Sequence, residues 1–249
     1  MNRFFVTENC FHGDKVVLLD NDQTHQIRDV LRLRPADQII VLDNAGWEYR
    51  VSLTKVTHEQ IVGEVGQKQP AAGEPQTQIT LYQSLLTRDK FELVLQKCTE
   101  VGVSRFAPVI TARSLVRENA VKPEKLDRWQ RIITEAAEQS ARGRIPDLLP
   151  PVSFEKAIQE LSSFEKNLIA WPAEGSSPIR VALHPTDKNI PKTIALLIGP
   201  EGGFTNEEVE SAKKNGATAI TLGPRILRTE TAAIVAATLI LYELGQMEI

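Results

Sequence analysis

The chain is poor in the residues that build metal sites and disulfide frameworks. Two of its 249 residues are cysteine and four are histidine. Cys10 and Cys98 lie far apart, with no Cys-x-x-Cys pair and no Cys/His cluster. That pattern argues against a stapled secreted scaffold and against a metal site, and it fits a reducing cytoplasm. Long apolar runs are missing as well. The longest candidate, residues 231–245, is too short to cross a bilayer and begins next to Arg228 and Glu230. The opening MNRFFVTENC has no signal-peptide core. Strong charge of either sign is also absent. A net charge of −3 and a pI near 5.9 exclude nucleic-acid binding by bulk positive charge, though not by a local basic face. With 42% hydrophobic and 24% charged residues, the composition is that of a soluble globular protein of one or two domains.

The chain changes character once. Residues 66–78, GQKQPAAGEPQTQ, have no periodicity and read as a linker or long loop. Before them lie short β-branched segments, such as QIIVLD and EYRVSLTKV. One helix over residues 22–34 interrupts them. It carries Ile27, Val30 and Leu31 toward a core, and Arg28 and Arg32 one turn apart on another face, until Pro35 stops it. Residues 1–70 therefore predict a small β-barrel of a kind used to bind RNA. Residues 76–249 alternate instead. Strands over 78–86, 105–110, 166–171, 193–199 and 217–223 are interleaved with helices over 89–102, 122–142, 154–163, 205–216 and 229–245. Such alternation predicts an α/β domain with a mostly parallel sheet.

The chemistry concentrates at residues 198–210, IGPEGGFTNEEVE. Thr205 and Glu208 form a capping-box pair, so a helix starts there and the glycine turn sits at the carboxyl end of a strand, where open α/β sheets bind ligands. The turn is neither of two familiar phosphate loops. It lacks the Lys-Ser/Thr that follows the glycines of a Walker loop and the spacing of a dinucleotide fingerprint. Glu201, Glu207, Glu208 and Glu210 would repel a phosphate. A ligand offering hydroxyls, amide-like donors or positive charge suits it better, and S-adenosylmethionine is one. A well-capped connecting turn accounts for the same residues. A second turn, LGPRILRTETA (residues 222–232), repeats the Gly-Pro pair as Gly223-Pro224 and also runs from strand to helix. Two such turns on neighbouring strand ends can frame one cleft and read a base through backbone groups.

These two turns, together with HQIRDVLRLRPADQI, QKCTEVGVSRFAPV and RWQRIITEAAEQSARGRIP, resemble the ribosomal RNA small-subunit methyltransferase E family of the knotted SPOUT class. The resemblance covers most of the chain. Ala36, where the family usually has Gly, and Val101, where it has Leu, depart from it. The resemblance implies a PUA-like RNA-binding barrel over residues 1–70 and a SPOUT domain with a deep trefoil knot over residues 76–249. It implies a cytoplasmic homodimer that uses S-adenosylmethionine, without a metal or a membrane, to methylate N3 of a uridine in 16S rRNA of the small ribosomal subunit. The cofactor residues would be Ile198, Gly199, Pro200, Glu201, Gly202 and Gly203 of the first turn, with Leu222, Gly223, Ile226, Leu227, Thr231 and Ala232 of the second. Loss of the N3 proton calls for a base or a stabiliser of the uracil anion. Arg228 could donate to a uracil oxygen or a phosphate. Glu138 and Arg142, four residues apart, could act on the base or pair with each other. The base stays unassigned.

For RNA, residues 85–147 hold 12 Lys/Arg against 9 Asp/Glu. Arg113 and Arg117 there, with Arg28 and Arg32 in the first segment, form a candidate basic surface. A knotted methyltransferase for tRNA or another rRNA base, or a non-catalytic RNA-binding assembly factor, remain the alternatives.

Overall fold

The computed structural model describes residues 1–87, 89–116, 121–183 and 190–248. It divides into two compact units. Unit 1 comprises Met1–Glu74 and Ala137–Ile145, and unit 2 comprises Pro75–Ala136 and Pro146–Ile249.

Unit 1 is built on a six-stranded sheet, β1 (Arg3–Phe5), β2 (Phe11–His12), β3 (Lys15–Leu18), β4 (Gln38–Leu42), β5 (Trp47–Val56) and β6 (Ile61–Pro70), in the order β1-β4-β5-β6-β3-β2. Only β1 and β4 run parallel. Two register shifts in the β5–β6 hairpin, at Tyr49/Val51 and Leu53/Lys55, add twist, and the sheet curls over Phe4, Val16, Leu18, Ile39, Val41, Val51, Leu53 and Ile61. The end strands β1 and β2 are not paired with each other, so the curl is a half-barrel. The expected linker is shorter than the composition suggests. Residues 66–70 extend β6, with Gln69 opposite Glu48 and Lys68 opposite Tyr49. Their polar character fits an exposed hairpin arm as well as a linker, and strand pairing decides.

The expected N-terminal helix also differs. It is α1 (Asn21–His25), capped by Asp20, followed by a π-turn over Gln26–Val30 in which the Leu31 N–H bonds the Gln26 carbonyl. The wider turn rotates later side chains off the α-helical spacing. Ile27 is buried and Leu31 packs on the core, but Val30 is exposed, and the helix ends before Pro35 with Arg32 at φ 55°.

Unit 2 carries an eight-stranded parallel sheet. Its strands are β7 (Gln78–Ser84), β8 (Arg105–Ile110), β9 (Asp147–Leu148), β10 (Val152–Ser153), β11 (Lys166–Ala170), β12 (Ser177–Pro178), β13 (Thr193–Ile198) and β14 (Thr218–Thr221), in the order β10-β8-β7-β13-β11-β14-β12, with β9 beside β8. Every pairing is parallel. β7 and β13 occupy the centre and are buried on both faces, so they read as continuous apolar runs rather than alternating ones. The helices are α2 (Lys90–Val101), α3 (Pro123–Gln139), α4 (Phe154–Gln159), α5 (Ile179–Leu183), α6 (Asn206–Lys214) and α7 (Thr229–Glu243). Ala195 and Leu197 of β13 join Phe154, Ala157 and Ile158 of α4 and Val209 and Ala212 of α6 in one apolar cluster. α7 packs on β7, β13 and α2. Its small buried residues Ala233, Ala236 and Ala237 allow that approach. At the end of α2, Gly102 takes φ 123°, and a Cβ there would lie 3.0 Å from the Leu241 side chain. Among the described residues no helix is long and apolar enough to cross a membrane.

Candidate functional site

The carboxyl ends of β13 and β14 open into a cleft of about 510 Å³ within unit 2. That is the usual place for a ligand in an open parallel sheet, and the volume suits a nucleoside-sized one. The first turn is held from three sides. The Thr205 hydroxyl accepts from the Glu208 N–H and the Glu208 carboxylate accepts from the Thr205 N–H, so both halves of the expected capping box are present. Glu208 also accepts from the Ala112 N–H. Arg113 Nη1 donates to the carbonyls of Gly202 (2.9 Å) and Phe204 (3.1 Å). Glu201 accepts from the Thr87 N–H, the Thr87 hydroxyl and Lys90 Nζ. Burial pushes the Glu201 carboxyl up, but hydrogen bonding from its own backbone N–H, with the bonds from Thr87 and Lys90, outweighs it and holds the group below its ordinary value.

The glycines follow from this close packing. A Cβ on Gly199 would sit 3.1 Å from the Phe204 backbone nitrogen, and Gly203 takes φ 68°. Over Gly203 and Gly223 the space is open, so the backbone itself forms part of the wall. Behind the turn, the Thr229 hydroxyl donates to the Gly199 carbonyl at 2.5 Å and accepts from Gln83 Nε2, tying the start of α7 to the first Gly-Pro turn.

Eleven of the twelve expected cofactor residues line this cleft: Ile198, Gly199, Pro200, Glu201, Gly202, Gly203, Leu222, Gly223, Ile226, Leu227 and Ala232. Thr231 is exposed and lies outside the lining. Arg228, the N-cap residue of α7, is at the cleft and exposed. The electrostatics differ from the expectation of an acidic turn. Glu207 and Glu210 sit in a separate surface hollow, Glu208 is consumed by capping, and Lys90, Arg113, Arg225 and Arg228 all reach the cleft. Composition of the turn alone could not show that four cations from other segments join it. Sequence reasoning also missed Ala170, Trp171 and Pro172, which line the cleft from the end of β11. Their position directly after an apolar strand was the available signal.

Other candidates lie in unit 1. α3 ends at Gln139, and Ala141 at φ 60° closes it, with the Arg142 N–H returning to the Ala137 carbonyl. Arg142 is thus past the helix rather than one turn along it from Glu138. Its buried guanidinium forks onto Glu74 at 3.0 and 2.7 Å. Glu138 accepts from the Phe5 N–H at 2.9 Å. Neither residue lines the cleft. Arg28 pairs with its neighbour Asp29, which also meets His25, while Arg32 is exposed. Arg113 braces the glycine turn as described, and Arg117 lies outside the described residues. Among the described residues no group of three or more His, Cys, Asp or Glu could hold a metal.

A family model for the RNA methyltransferase domain matches residues 73–241. The chain is 33% identical over 248 residues to ribosomal RNA small subunit methyltransferase E of Bacillus subtilis, covering 98% of this chain and 97% of the relative. Its fold is similar to that of ribosomal RNA small subunit methyltransferase E from Neisseria gonorrhoeae bound to S-adenosyl methionine, with TM-score 0.85, 32% identity and 97% of each chain covered. A methyltransferase from Legionella pneumophila in complex with the same cofactor gives TM-score 0.85 at 30% identity over 96% of each chain. The domain model over residues 73–241, with a relative 33% identical over 98% of this chain, places the chain in the ribosomal RNA small subunit methyltransferase E family.

Proposed function

We propose that the protein uses S-adenosylmethionine to methylate N3 of a uridine in 16S rRNA. The observation that carries this reading is the cleft framed by Gly199–Gly203 and Leu222–Leu227, with the matching relatives bound to that cofactor. The lining fits the group. Ile198, Ile220, Leu222 and Leu227 offer apolar surface for an adenine and a thioether, and the open backbone at Gly203 and Gly223 offers N–H and C=O groups for its edge. When bound, the cofactor supplies an electrophilic methyl on a sulfonium. The protein's own task is then alignment. Glu201, Arg113 and Glu208 keep the first turn rigid, and Thr229 ties it to α7. Arg228 and Arg225, at the rim, hold a uracil oxygen or a phosphate of the RNA. Arg28 and Arg32 extend RNA contact to unit 1, whose curled sheet is read as PUA-like.

The same reading makes unit 2 a knotted SPOUT domain in a homodimer. The tie between Thr229 and Gly199, and the packing of α7 on β7 and β13, support a threaded C-terminal segment. Exposed Ile226, Val181 and Tyr242 supply apolar surface that a second copy would cover.

The test is methyl transfer from labelled S-adenosylmethionine to unmethylated small ribosomal subunits, with naked rRNA and bulk tRNA in parallel, followed by nucleoside analysis. Label recovered as 3-methyluridine from the subunits is the expected result. Label on tRNA or on another nucleoside refutes the substrate. Gly203→Val, which puts a β-branched residue at φ 68°, should abolish the cofactor-dependent melting shift.

A further inference from the structure

One acid lining the cleft has a carboxylate oxygen without a hydrogen-bond partner among the described residues. Glu230 is the second residue of α7, only 9% exposed, and it lines the cleft. Its Oε2 is buried without a hydrogen-bond partner. A buried carboxylate oxygen without a donor is costly, so its persistence points to a donor brought from outside. A carboxylate oxygen accepts hydrogen bonds, so the missing partner is a donor, and an ammonium supplies one.

The charges around it separate by depth. Lys90 is engaged with Glu201 and Arg113 with two carbonyls, whereas Arg225 and Arg228 are exposed. Exposed arginines suit anions arriving from solvent. The buried acid faces whatever fills the cleft. A zwitterionic amino-acid group needs both an acid and a base, and α7 begins with one of each, Arg228 and Glu230. We propose that Glu230 binds the α-ammonium of the cofactor's methionyl end, with Arg228 available to its carboxylate. This rests on the cofactor reading above. It assigns Glu230 a binding role that neither the position of the residue at a helix start nor its capping chemistry requires.

The test is binding rather than turnover. Wild type and Glu230→Gln are titrated calorimetrically with S-adenosylhomocysteine, with its analogue lacking only the α-amino group, and with 5′-methylthioadenosine, which lacks the whole amino-acid end. Losing a charge-assisted hydrogen bond in a buried site weakens binding by about tenfold to a hundredfold. Wild type should show that loss on going from S-adenosylhomocysteine to the deaminated analogue. Glu230→Gln should bind those two alike and should retain wild-type affinity for 5′-methylthioadenosine. If wild type binds the deaminated analogue as well as S-adenosylhomocysteine, the assignment is overturned, and this arm needs no variant to fold. Equal weakening of all three ligands by Glu230→Gln would also overturn it, in favour of a purely structural acid. Unchanged binding of all three, with methyl transfer lost, would move Glu230 to the RNA base. If wild type binds none of the three, it is the cofactor reading itself that fails.

Discussion

The Arg142–Glu74 pair offers the sharpest test of how unit 1 is held. The Arg142 side chain is 2% exposed and that of Glu74 21%. Glu74 Oε1 accepts from Arg142 Nε, the Gly143 N–H and the Arg144 N–H, while Oε2 accepts from Arg142 Nη2. One carboxylate thus joins the end of the β6 arm to the turn after α3. Its neighbours leave no slack. A Cβ on Gly73 would lie 2.3 Å from the Ala141 carbonyl oxygen, and one on Gly143 would lie 2.4 Å from Ala71 Cβ. Breaking a buried pair from one side typically costs 3–5 kcal/mol, and the partial exposure of Glu74 favours the lower end. We expect Glu74→Gln to destabilise unit 1 by about 3 kcal/mol, since an amide N–H₂ then faces the guanidinium. Arg142→Met should cost about 2 kcal/mol and the double variant about 3 kcal/mol, a coupling near 2 kcal/mol. Urea unfolding of the four proteins, followed by far-ultraviolet circular dichroism, measures it. Additive losses, with coupling under about 0.5 kcal/mol, would refute a mutual buried pair. Folded Glu74→Gln should keep wild-type affinity for S-adenosylhomocysteine. A large loss there would return Arg142 to the candidates for the reaction.

Three further outcomes are expected. Ala36 sits at φ 79°, where a side chain costs about 1–2 kcal/mol and glycine does not, so Ala36→Gly should raise stability by about 0.5–1 kcal/mol after the entropy of the unfolded glycine is counted; a lower urea midpoint would contradict this. Cys98 is fully buried and burial pushes its thiol well above the ordinary range, whereas Cys10 is half-buried. A thiol reagent under native conditions should therefore label one cysteine quickly and the second only on unfolding, and rapid double labelling would count against the core position of Cys98. Because the Glu201 carboxyl is held below its ordinary value of 4.5, its stabilising contribution is present above that value and is lost as pH falls through the lower folded one. The melting-temperature gap between wild type and Glu201→Gln should therefore be constant from pH 7 to about 5 and narrow as pH falls further through the lowered folded value; no gap at pH 7 would argue against the bonds from Thr87 and Lys90.

Local patterns carried much of the architecture because their causes are local. The capping box at Thr205 and Glu208 needs only four consecutive residues, and it forms as the spacing predicts. The continuous apolar run of β13 signals burial on both faces and a central parallel position, which it takes. The N-terminal helix misled at Val30 because a π-turn changes the side-chain period, and no residue type in that segment announces it. Residues 66–70 misled because an exposed hairpin arm and a linker share a polar composition, and only the partner strand β5 separates them.

The site shows the same division. The local pattern of the chain shows that two Gly-Pro turns follow strands and precede helices, and therefore which backbone could wall a cleft. It also determined the family resemblance through the motifs in those turns. What completes that cleft depends on how distant segments pack. Lys90, Arg113 and Trp171 come from segments far apart in the chain, and their convergence depends on β7, β8, β11 and β13 lying side by side. The same holds for the fate of each charge. Glu201 reads as a repulsive acid in the sequence but is a neutralised staple once Thr87 and Lys90 meet it, and Glu230, in the first turn of α7, is left buried with an open oxygen. A charge's effect is set by its partners and its dielectric surroundings, and both are properties of the packed structure.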